Sequence, residues 1–563
     1  MPTNPLERAL DQLHQLKTQF GPRQARQIEL LLKRVARLQI EEPNLLIRLH
    51  ELLLFIRAYP HNSKVLKLSE SILRTIPERI SKLLEAEVDL VTLEHPELSG
   101  MAGMSVTDTF SFPIVSWLQK REPSRLSVFW DWFEDENRIG ETWPRFIPLL
   151  QEDTFVEANI PFRKWLRNAR GKTAEVEWLM KRFSGMGVSE PEKAELYNSQ
   201  KLYVQWRYSY RDSRTGMRGP VRKLFFHDAP LIQRRDVRLT EEFSKPTVDL
   251  NKLSFAEGQR AIDDALRAST VRYRELYGFT NADFGSVSQT SLGRGVELVL
   301  FTLPPDRRLP LRAYHAVMIY KNGVPIGYFE GLSLFDRMES GFNLYYTFRE
   351  GETAWLYARV LHVMRQLTGV SSFALDPYQI GHENEEGIQS GAFWFYRKLG
   401  FRSTRDTIRK LSEIEETKIS SRTKYRTASA TLRKLAEAPM ILDLDEGRNG
   451  DWDQFQVRNV GLAVQHLMAA KFNGEAQQIR EQAVRSIMKL LDLPATIRSN
   501  KTFIEFAVVL LLIPDLKRWS DAEKALLSRV ILQKCRGDEG RYLRLMQKHA
   551  RLRDALINLG SSS

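Results

Sequence analysis

The chain has 563 residues, too many for one hydrophobic core, and domains of about 100–200 residues predict roughly three to five of them. Its one cysteine, Cys535, excludes an intrachain disulfide framework and a metal site built on paired cysteines, and it is typical of a reducing, cytoplasmic location. The net charge of +13 permits binding to nucleic acid or another anion, but no nucleic-acid motif accompanies it, so a solvated basic surface is favoured.

No membrane attachment is predicted. The N-terminal residues lack the basic start and apolar core of a secretory signal. The longest apolar run, Phe506–Ile513, ends at Pro514 and is far shorter than the roughly 20 residues needed to cross a bilayer. We therefore expect this run to belong to a buried helix.

Residues 1–95 are predicted to form an N-terminal helical region. Leucines recur at helical spacing after Asn4 and Pro5, which supply an N-cap and a first-turn proline. Further helices are predicted after the Gly21-Pro22 break, over Asn44–Tyr59, and from Asn62-Ser63 to Pro77. Helices with such short links indicate a bundle or a short helical array.

Residues 96–250 are predicted to be a mixed, aromatic-rich region. The aromatic side chains of Phe129–Phe133 favour a core role over base stacking, because the neighbouring carboxylates would repel phosphates. Tyr203–Tyr210 alternates polar and apolar residues, and turn-forming residues separate it from Val221–Phe226. This pattern predicts a β-hairpin near 203–226.

Residues 251–410 change to strands alternating with helices. Ser254 and Glu257 form a capping box that opens a helix, and Asn322-Gly323 between two β-prone segments is a strong hairpin signal. The later predicted elements are the strand Gly341–Phe348, the helix Thr353–Leu367 and the strand Ser371–Leu375. Antiparallel strands followed by crossover helices predict an α+β fold with a central mixed sheet.

Residues 411–563 return to helical periodicity, so the sheet is predicted to be flanked by N-terminal and C-terminal all-helical regions. Within this part, Asp443–Asp451 is superficially similar to a calcium-binding loop. No register supplies both the central glycine and the closing glutamate, so an acidic turn is favoured. No metal site is predicted.

The segment Gln389–Phe401, QSGAFWFYRKLGF, is predicted to be an aromatic-rich helix stopped by Gly400 and followed by a short strand, Arg402–Thr404. It resembles the late motif of the GNAT acyltransferases, which has a small residue, an aliphatic-tyrosine pair and Gly-Phe. The matching positions are Ala392, Phe395-Tyr396 and Gly400-Phe401. The order of elements across about 250–410 is also similar to that of a GNAT domain.

The resemblance implies an N-acyltransferase that moves an acyl group from acetyl-CoA or another acyl-coenzyme A to an amine. The amine acceptor would be a small metabolite or a macromolecule. The pantetheine arm would enter between the strands Gly341–Phe348 and Ser371–Leu375, and the pyrophosphate would rest on the N-terminus of the first crossover helix, where unpaired N–H groups favour anions.

The same resemblance assigns roles to individual residues. Tyr396 would protonate the leaving thiolate, and Glu330 or Glu339 would act as the base. The residues implied for cofactor binding are Arg349, Gly351, Thr353, Ala354 and Gln389.

The pyrophosphate loop departs from the family pattern of a basic, glycine-rich segment. If the sequence is aligned on Gly351, Phe348 stands where the family has a basic residue. If Arg349 is taken as the basic residue instead, its spacing to Gly351 is one residue too short. Glu350 and Glu352 add negative charge where a pyrophosphate should rest. Carboxylates at this place commonly stabilise the helix itself.

Two other function classes stay open. The first is a non-catalytic interaction or regulatory protein, in which the GNAT-like core is degenerate and the helical flanks bind a partner. In that case Tyr396 is an ordinary core tyrosine. A nucleic-acid-binding protein is permitted by the charge alone, and a variant of the enzyme takes its acyl group from aminoacyl-tRNA.

Overall fold

The computed structural model describes residues 4–136, 138–140, 142–156 and 160–561. Five helices come first: α1 (Pro5–Leu16), α2 (Pro22–Val35), α3 (Pro43–Ala58), α4 (Ser63–Leu73) and α5 (Ile76–Glu85). The Asn4 side chain caps α1 by accepting a hydrogen bond from the Leu6 amide. The helix predicted to run from Asn62-Ser63 to Pro77 is α4, which already ends at Leu73, and a further helix, α5, follows it. Pro77 lies in the first turn of α5, where its missing N–H leaves no helical hydrogen bond unmade.

The next region combines helices with a small antiparallel sheet. Its helices are α6 (Phe112–Arg121), α7 (Trp130–Glu136), α8 (Leu150–Phe155), α9 (Phe162–Arg170), α10 (Glu175–Ser184), α11 (Glu190–Ser199) and α12 (Leu239–Phe243). Its strands are β1 (Ser105–Asp108), β2 (Leu126–Val128) and β3 (Val204–Arg207), in the order β1-β3-β2.

The β-hairpin predicted near 203–226 is wrong. Strand β3 pairs with β1 on one edge and β2 on the other, and Val221–Phe226 forms no strand. The Phe225 amide instead donates to Asn322 Oδ1 at 2.8 Å. Both edges of β3 are taken by strands about 75 to 100 residues earlier in the chain, and alternation within a segment does not reveal such distant partners.

A nine-stranded sheet forms the centre of the structure. Its strands are β4 (Asn251–Lys252), β5 (Ser288–Gly293), β6 (Val296–Thr302), β7 (Ala313–Lys321), β8 (Val324–Leu334), β9 (Arg337–Leu344), β10 (Ser372–Leu375), β11 (Arg402–Ser403) and β12 (Met440–Asp443). The spatial order is β11-β12-β10-β9-β8-β7-β6-β5-β4. Among the described strands of this sheet, only β9 and β10 pair in parallel, and the other neighbours are antiparallel. The described chain is therefore an α+β protein with a mixed sheet and helical flanks.

Several local predictions for this sheet are confirmed. Asn322 and Gly323 join β7 to β8 with φ angles of 49° and 76°, as a tight hairpin turn requires. The capping box of Ser254 and Glu257 opens α13 (Phe255–Thr270). The other helices of this region are α14 (Tyr277–Thr280), α15 (Thr353–Thr368), α16 (Glu385–Ser390), α17 (Ala392–Arg397), α18 (Asp406–Ser421) and α19 (Ser429–Leu435).

Three predictions need correction. Strand β9 begins at Arg337 and ends at Leu344, because Tyr346–Phe348 forms a short 3-10 turn. The helix predicted over Gln389–Leu399 is divided into α16 and α17, because Gly391 takes the left-handed conformation with φ of 68°.

The third correction concerns the C-terminal region, which was predicted to be all helical. It contributes β12, which pairs with both β10 and β11 and so extends the sheet to Asp443. The remaining helices are α20 (Val457–Phe472), α21 (Ala476–Leu491), α22 (Lys501–Leu510), α23 (Asp521–Arg536), α24 (Glu539–Met546) and α25 (Ala550–Ser561).

Two hydrophobic cores organise these elements. One core is continuous from Leu6 on α1 through the central sheet to Met440 on β12, so the predicted boundaries at 95 and 250 do not separate independent cores. The second contains the C-terminal helices together with sheet residues such as Ala374 and Ile441. Among the described residues, no helix is both long enough and apolar enough to cross a membrane.

Candidate functional site

The parallel strands β9 and β10 pair over only part of their length. Arg337–Glu339 is in register with Ser372–Ala374, and the ladder between the two strands ends there. The following part of β9 keeps its pairing with β8, but its other edge is bonded by a side chain: the Phe342 amide donates to Gln379 Oε1 at 3.3 Å. The sheet therefore opens beside Phe342–Leu344.

A cleft of about 460 Å³ lies at this opening. Four parts of the chain line it: the end of β9, the loop that leads into α15, the segment from Gln379 to Tyr396, and a distant segment near residue 233. Its lining residues include Arg349, Gly351, Thr353, Ala354 and Tyr396. The structure thus brings together the loop and the tyrosine that were predicted to share one site.

The N-terminus of α15 opens into this cleft. Thr353 and Ala354, the first two residues of the helix, line the cleft, and the side chain of the N-cap residue, Glu352, makes no capping hydrogen bond to the helix. The first N–H groups of a helix have no partner within the helix, and the helix dipole adds a partial positive charge. This end of the cleft therefore favours an anionic group.

Gly351 is required by the close approach of Tyr59, the residue that follows α3. A Cβ atom at Gly351 would lie 2.3 Å from the Tyr59 hydroxyl oxygen and 2.7 Å from its Cζ atom. Tyr59 is fully buried, and its ring stacks on Phe55 with 4.8 Å between centroids. The N-terminal helical region thus packs directly under the loop.

The two acidic residues of the loop do not leave free negative charge in the cleft. Glu352 is buried, and its carboxylate pairs with Arg294 at 2.5 Å and Lys321 at 3.4 Å. Lys321 is also fully buried, and burial lowers its pKa to about 8. Glu350 is more exposed and pairs with Lys17 on the segment after α1, at 3.0 Å. These cations offset the negative charge that the sequence alone places in the loop.

Arg349, the basic residue of the loop, is partly committed to other partners. Its guanidinium pairs with Glu386 on α16 and donates to the Leu344 carbonyl oxygen at 3.1 Å. Its carbonyl oxygen accepts a hydrogen bond from the Thr353 hydroxyl at 2.9 Å. Arg349 lines the cleft, but Glu386 neutralises its charge there.

Tyr396 lies on α17 at the wall of the cleft. Its side chain is buried beside Tyr357 and Phe401, with ring centroids 5.5 and 5.8 Å away. Its hydroxyl donates to Gln379 Oε1 at 3.4 Å. Burial raises the pKa of the Tyr396 hydroxyl above its ordinary value, so the group is protonated at neutral pH. It is therefore a protonated hydroxyl at the edge of the cleft.

Glu330 lies on β8 and does not line the cleft. It pairs across the sheet with Gly341, which places its side chain on the same face as Asn343, a cleft residue two positions further along β9. Burial raises the pKa of the Glu330 carboxyl, although the Tyr314 hydroxyl donates a hydrogen bond to it. A carboxyl with a raised pKa is suited to accepting a proton.

Glu339 and Gln389 lie away from the cleft lining. Glu339 is held between Arg312 and Arg337, whose guanidinium nitrogens are 3.8 and 3.7 Å from its carboxylate. Gln389 is exposed on α16. Neither residue shares the cavity with Tyr396.

The cleft also contains residues that the sequence analysis missed. Asn343 Oδ1 is buried and, within the described chain, has no hydrogen-bond partner. Gln379 follows the recognisable Asp376-Pro377 turn, but its position against β9 has no local signal. Arg234 comes from the region before the central sheet, and no motif marks it as a cleft residue.

No group of three or more His, Cys, Asp or Glu side chains in the described part of the chain is arranged to hold a metal ion. Comparison with known proteins found no matching family model, curated protein or solved structure. Function is therefore inferred from the geometry of the cleft.

Proposed function

We propose that the chain is a GNAT-like N-acyltransferase that moves an acyl group from acyl-coenzyme A to an amine acceptor. One observation carries the proposal. The pairing between the parallel strands β9 and β10 ends beside a cleft that holds both the N-terminus of α15 and the buried hydroxyl of Tyr396. An anion-binding helix end and a proton donor in one cavity suit a phosphorylated thioester.

The residues present fit such a donor. The first turn of α15 offers unpaired amides for phosphate oxygens, and Asn343 Oδ1 is a buried acceptor without a partner among the described residues. Among the described residues no strand pairs with the edge of β9 at Phe342–Leu344. An amide-bearing chain such as pantetheine would take the place of the Gln379 and Arg349 side chains, which now bond the Phe342 amide and the Leu344 carbonyl oxygen. The acids Glu350 and Glu352 already have cationic partners and do not oppose a pyrophosphate.

The chemistry requires few groups. The amine nitrogen bonds to the thioester carbonyl carbon, and the carbon–sulfur bond then breaks. Tyr396 gives its hydroxyl proton to the departing thiolate sulfur and recovers a proton from water. The proton lost by the amine passes to water in the cleft, and Glu330, whose carboxyl has a raised pKa but lies outside the cleft lining, would receive it from that water. The base then releases this proton to the solvent that reprotonates Tyr396.

The second candidate function is a non-catalytic interaction or regulatory protein. The ion pair between Arg349 and Glu386 favours it, because the one basic side chain in the loop is already neutralised. In that case acetyl-CoA does not bind, and the cleft is a structural remnant of the fold.

Binding of acetyl-CoA separates the two candidates. A ligand that binds only the folded chain raises stability by about 2.7 kcal/mol at a concentration 100 times its Kd, so thermal unfolding and calorimetry should both report it. If millimolar acetyl-CoA leaves the unfolding temperature unchanged and gives no heat of binding, the acyltransferase proposal is refuted.

The role of Tyr396 is tested separately with Tyr396→Phe. We expect kcat for amine acylation to fall about 100-fold or more, with little change in acetyl-CoA affinity, because only the proton donor is lost. Tyr357→Phe is the matched control. It also removes a buried hydroxyl, bonded to Ser340 at 3.0 Å, but Tyr357 does not line the cleft. Equal turnover in both variants removes Tyr396 from the mechanism.

A further inference from the structure

Arg234 brings a positive charge to the cleft from outside the GNAT-like region. It lies in a 3-10 turn, Arg234–Asp236, between β3 and the central sheet. Together with Ile232 and Gln233 it forms part of the cleft lining, on the same cavity as Thr353 and Ala354 of α15. The cavity is therefore completed by a segment more than 100 residues earlier in the chain than α15.

This segment is anchored to the N-terminus of α15 itself. The Ile232 amide donates to Glu352 Oε1 at 3.2 Å, and Glu352 is the residue that precedes the helix. The Gln233 amide donates to Asp236 Oδ2 at 2.9 Å, which closes the turn that presents Arg234. Leu231 is buried in the main core. These contacts hold the backbone of Arg234 at a defined position beside the helix end.

The charge of Arg234 is not neutralised by the described protein. Its guanidinium donates to the Lys398 carbonyl oxygen at 3.3 Å and forms no ion pair with any carboxylate in the residues that the structure covers. The other charged residues of the cavity differ in this respect, because Arg349 pairs with Glu386 and Glu350 pairs with Lys17. A guanidinium has five N–H donors, and most of those on Arg234 remain available.

We infer that Arg234 binds the phosphate groups of the acyl donor and takes the part of the loop's own basic residue, Arg349, whose charge is neutralised by Glu386. Arginine matches phosphate oxygens with paired, charge-assisted hydrogen bonds, and the neighbouring helix end favours the same anion. The inference rests on the proposed function, since it names a binding residue for the same donor. It also gives the irregular segment around residue 234 a role in ligand binding at the cleft.

The test compares two donors in calorimetry with the full chain. Acetyl-CoA carries the phosphates, and S-acetylpantetheine carries the same thioester without them. For Arg234→Ala we expect the Kd for acetyl-CoA to rise about tenfold or more, as loss of a hydrogen bond to a charged group does, and the Kd for S-acetylpantetheine to stay unchanged. Arg234→Lys, which keeps the charge, should recover part of the loss.

Arg235→Ala is the matched control. Arg235 is the next residue, its side chain is 82% exposed, and it does not line the cavity, so its loss should leave both affinities unchanged. Weaker binding of both donors by Arg234→Ala assigns Arg234 a structural role and overturns the inference. If Arg234→Ala binds acetyl-CoA as tightly as the unaltered protein does, the inference is overturned as well. If the unaltered protein does not bind acetyl-CoA at all, both the proposed function and the inference are refuted.

Discussion

Gly351→Ala tests whether the loop before α15 has its shape because Tyr59 lies directly beneath it. The added Cβ would lie 2.3 Å from the Tyr59 hydroxyl oxygen, so the two groups must separate by about 1 Å to reach an ordinary contact of 3.4 Å. Tyr59 does not yield readily, because it is fully buried against Phe55 and its ring carries the Lys321 ammonium at 4.7 Å. The loop must therefore move.

The expected loss of stability is about 1–3 kcal/mol, the usual result of adding a methyl group to a packed site. Because the loop leads into α15, we also expect weaker binding of acetyl-CoA. Tyr59→Phe removes the hydroxyl oxygen but leaves Cζ, which a Cβ at Gly351 would approach to 2.7 Å. The double variant should therefore recover only part of the stability.

Urea unfolding and acetyl-CoA titration measure the two effects. Gly341→Ala is the control, because a Cβ at that position on β9 meets its nearest atom, the Glu330 carbonyl oxygen, at 3.8 Å. If Gly351→Ala is as stable as Gly341→Ala and binds acetyl-CoA equally well, the contact between Tyr59 and the loop does not shape the site.

Two further predictions concern the buried ionisable residues Lys321 and His227. Lys321→Met should lower the free energy of unfolding by roughly 3 kcal/mol, because Glu352 stays buried with one cation fewer. Urea unfolding measures this loss. The prediction is contradicted if the single variant loses no more stability than the double variant Lys321→Met/Glu352→Gln. Burial, together with nearby Lys321 and Arg294, lowers the pKa of His227 to about 2 from its ordinary 6.5. The unfolded chain therefore binds more protons below pH 6.5, so this contribution to stability is complete above pH 6.5 and falls as the pH drops. Relative to His227→Phe, the unaltered protein should lose up to about 1.4 kcal/mol per pH unit in acid unfolding curves, and parallel curves would show that His227 does not titrate in this way.

The elements that were predicted correctly depend on hydrogen bonds between residues close in sequence. The Asn322-Gly323 turn needs two positive φ angles, which these residue types tolerate. The helix predicted over Thr353–Leu367 is α15, Thr353–Thr368, because its apolar spacing and end signals are local. Gly391 shows the limit of such signals, since an isolated glycine did not indicate that the helix would break there.

Partners of strands could not be predicted in the same way. Met440–Asp443 is a four-residue segment between charged helices, and it becomes a strand because β10 and β11 both pair with it. Val204–Arg207 likewise takes its partners from β1 and β2 rather than from the next β-prone segment. Short strands derive their stability from neighbours, and neighbours are set by the whole fold.

The order of residues was enough to predict the α+β class, the main helices, the hairpin turn, and a set of residues that line one cleft: Arg349, Gly351, Thr353, Ala354 and Tyr396. The electrostatics of that cleft could not be predicted in this way, because they depend on contacts between distant segments. Ion pairing depends on distance and burial, and neither follows from the order of residues. The carboxylates of the loop pair with Lys17, Lys321 and Arg294 from distant segments. Arg234, which has no ion-pair partner among the described residues, comes from a segment with no recognisable motif.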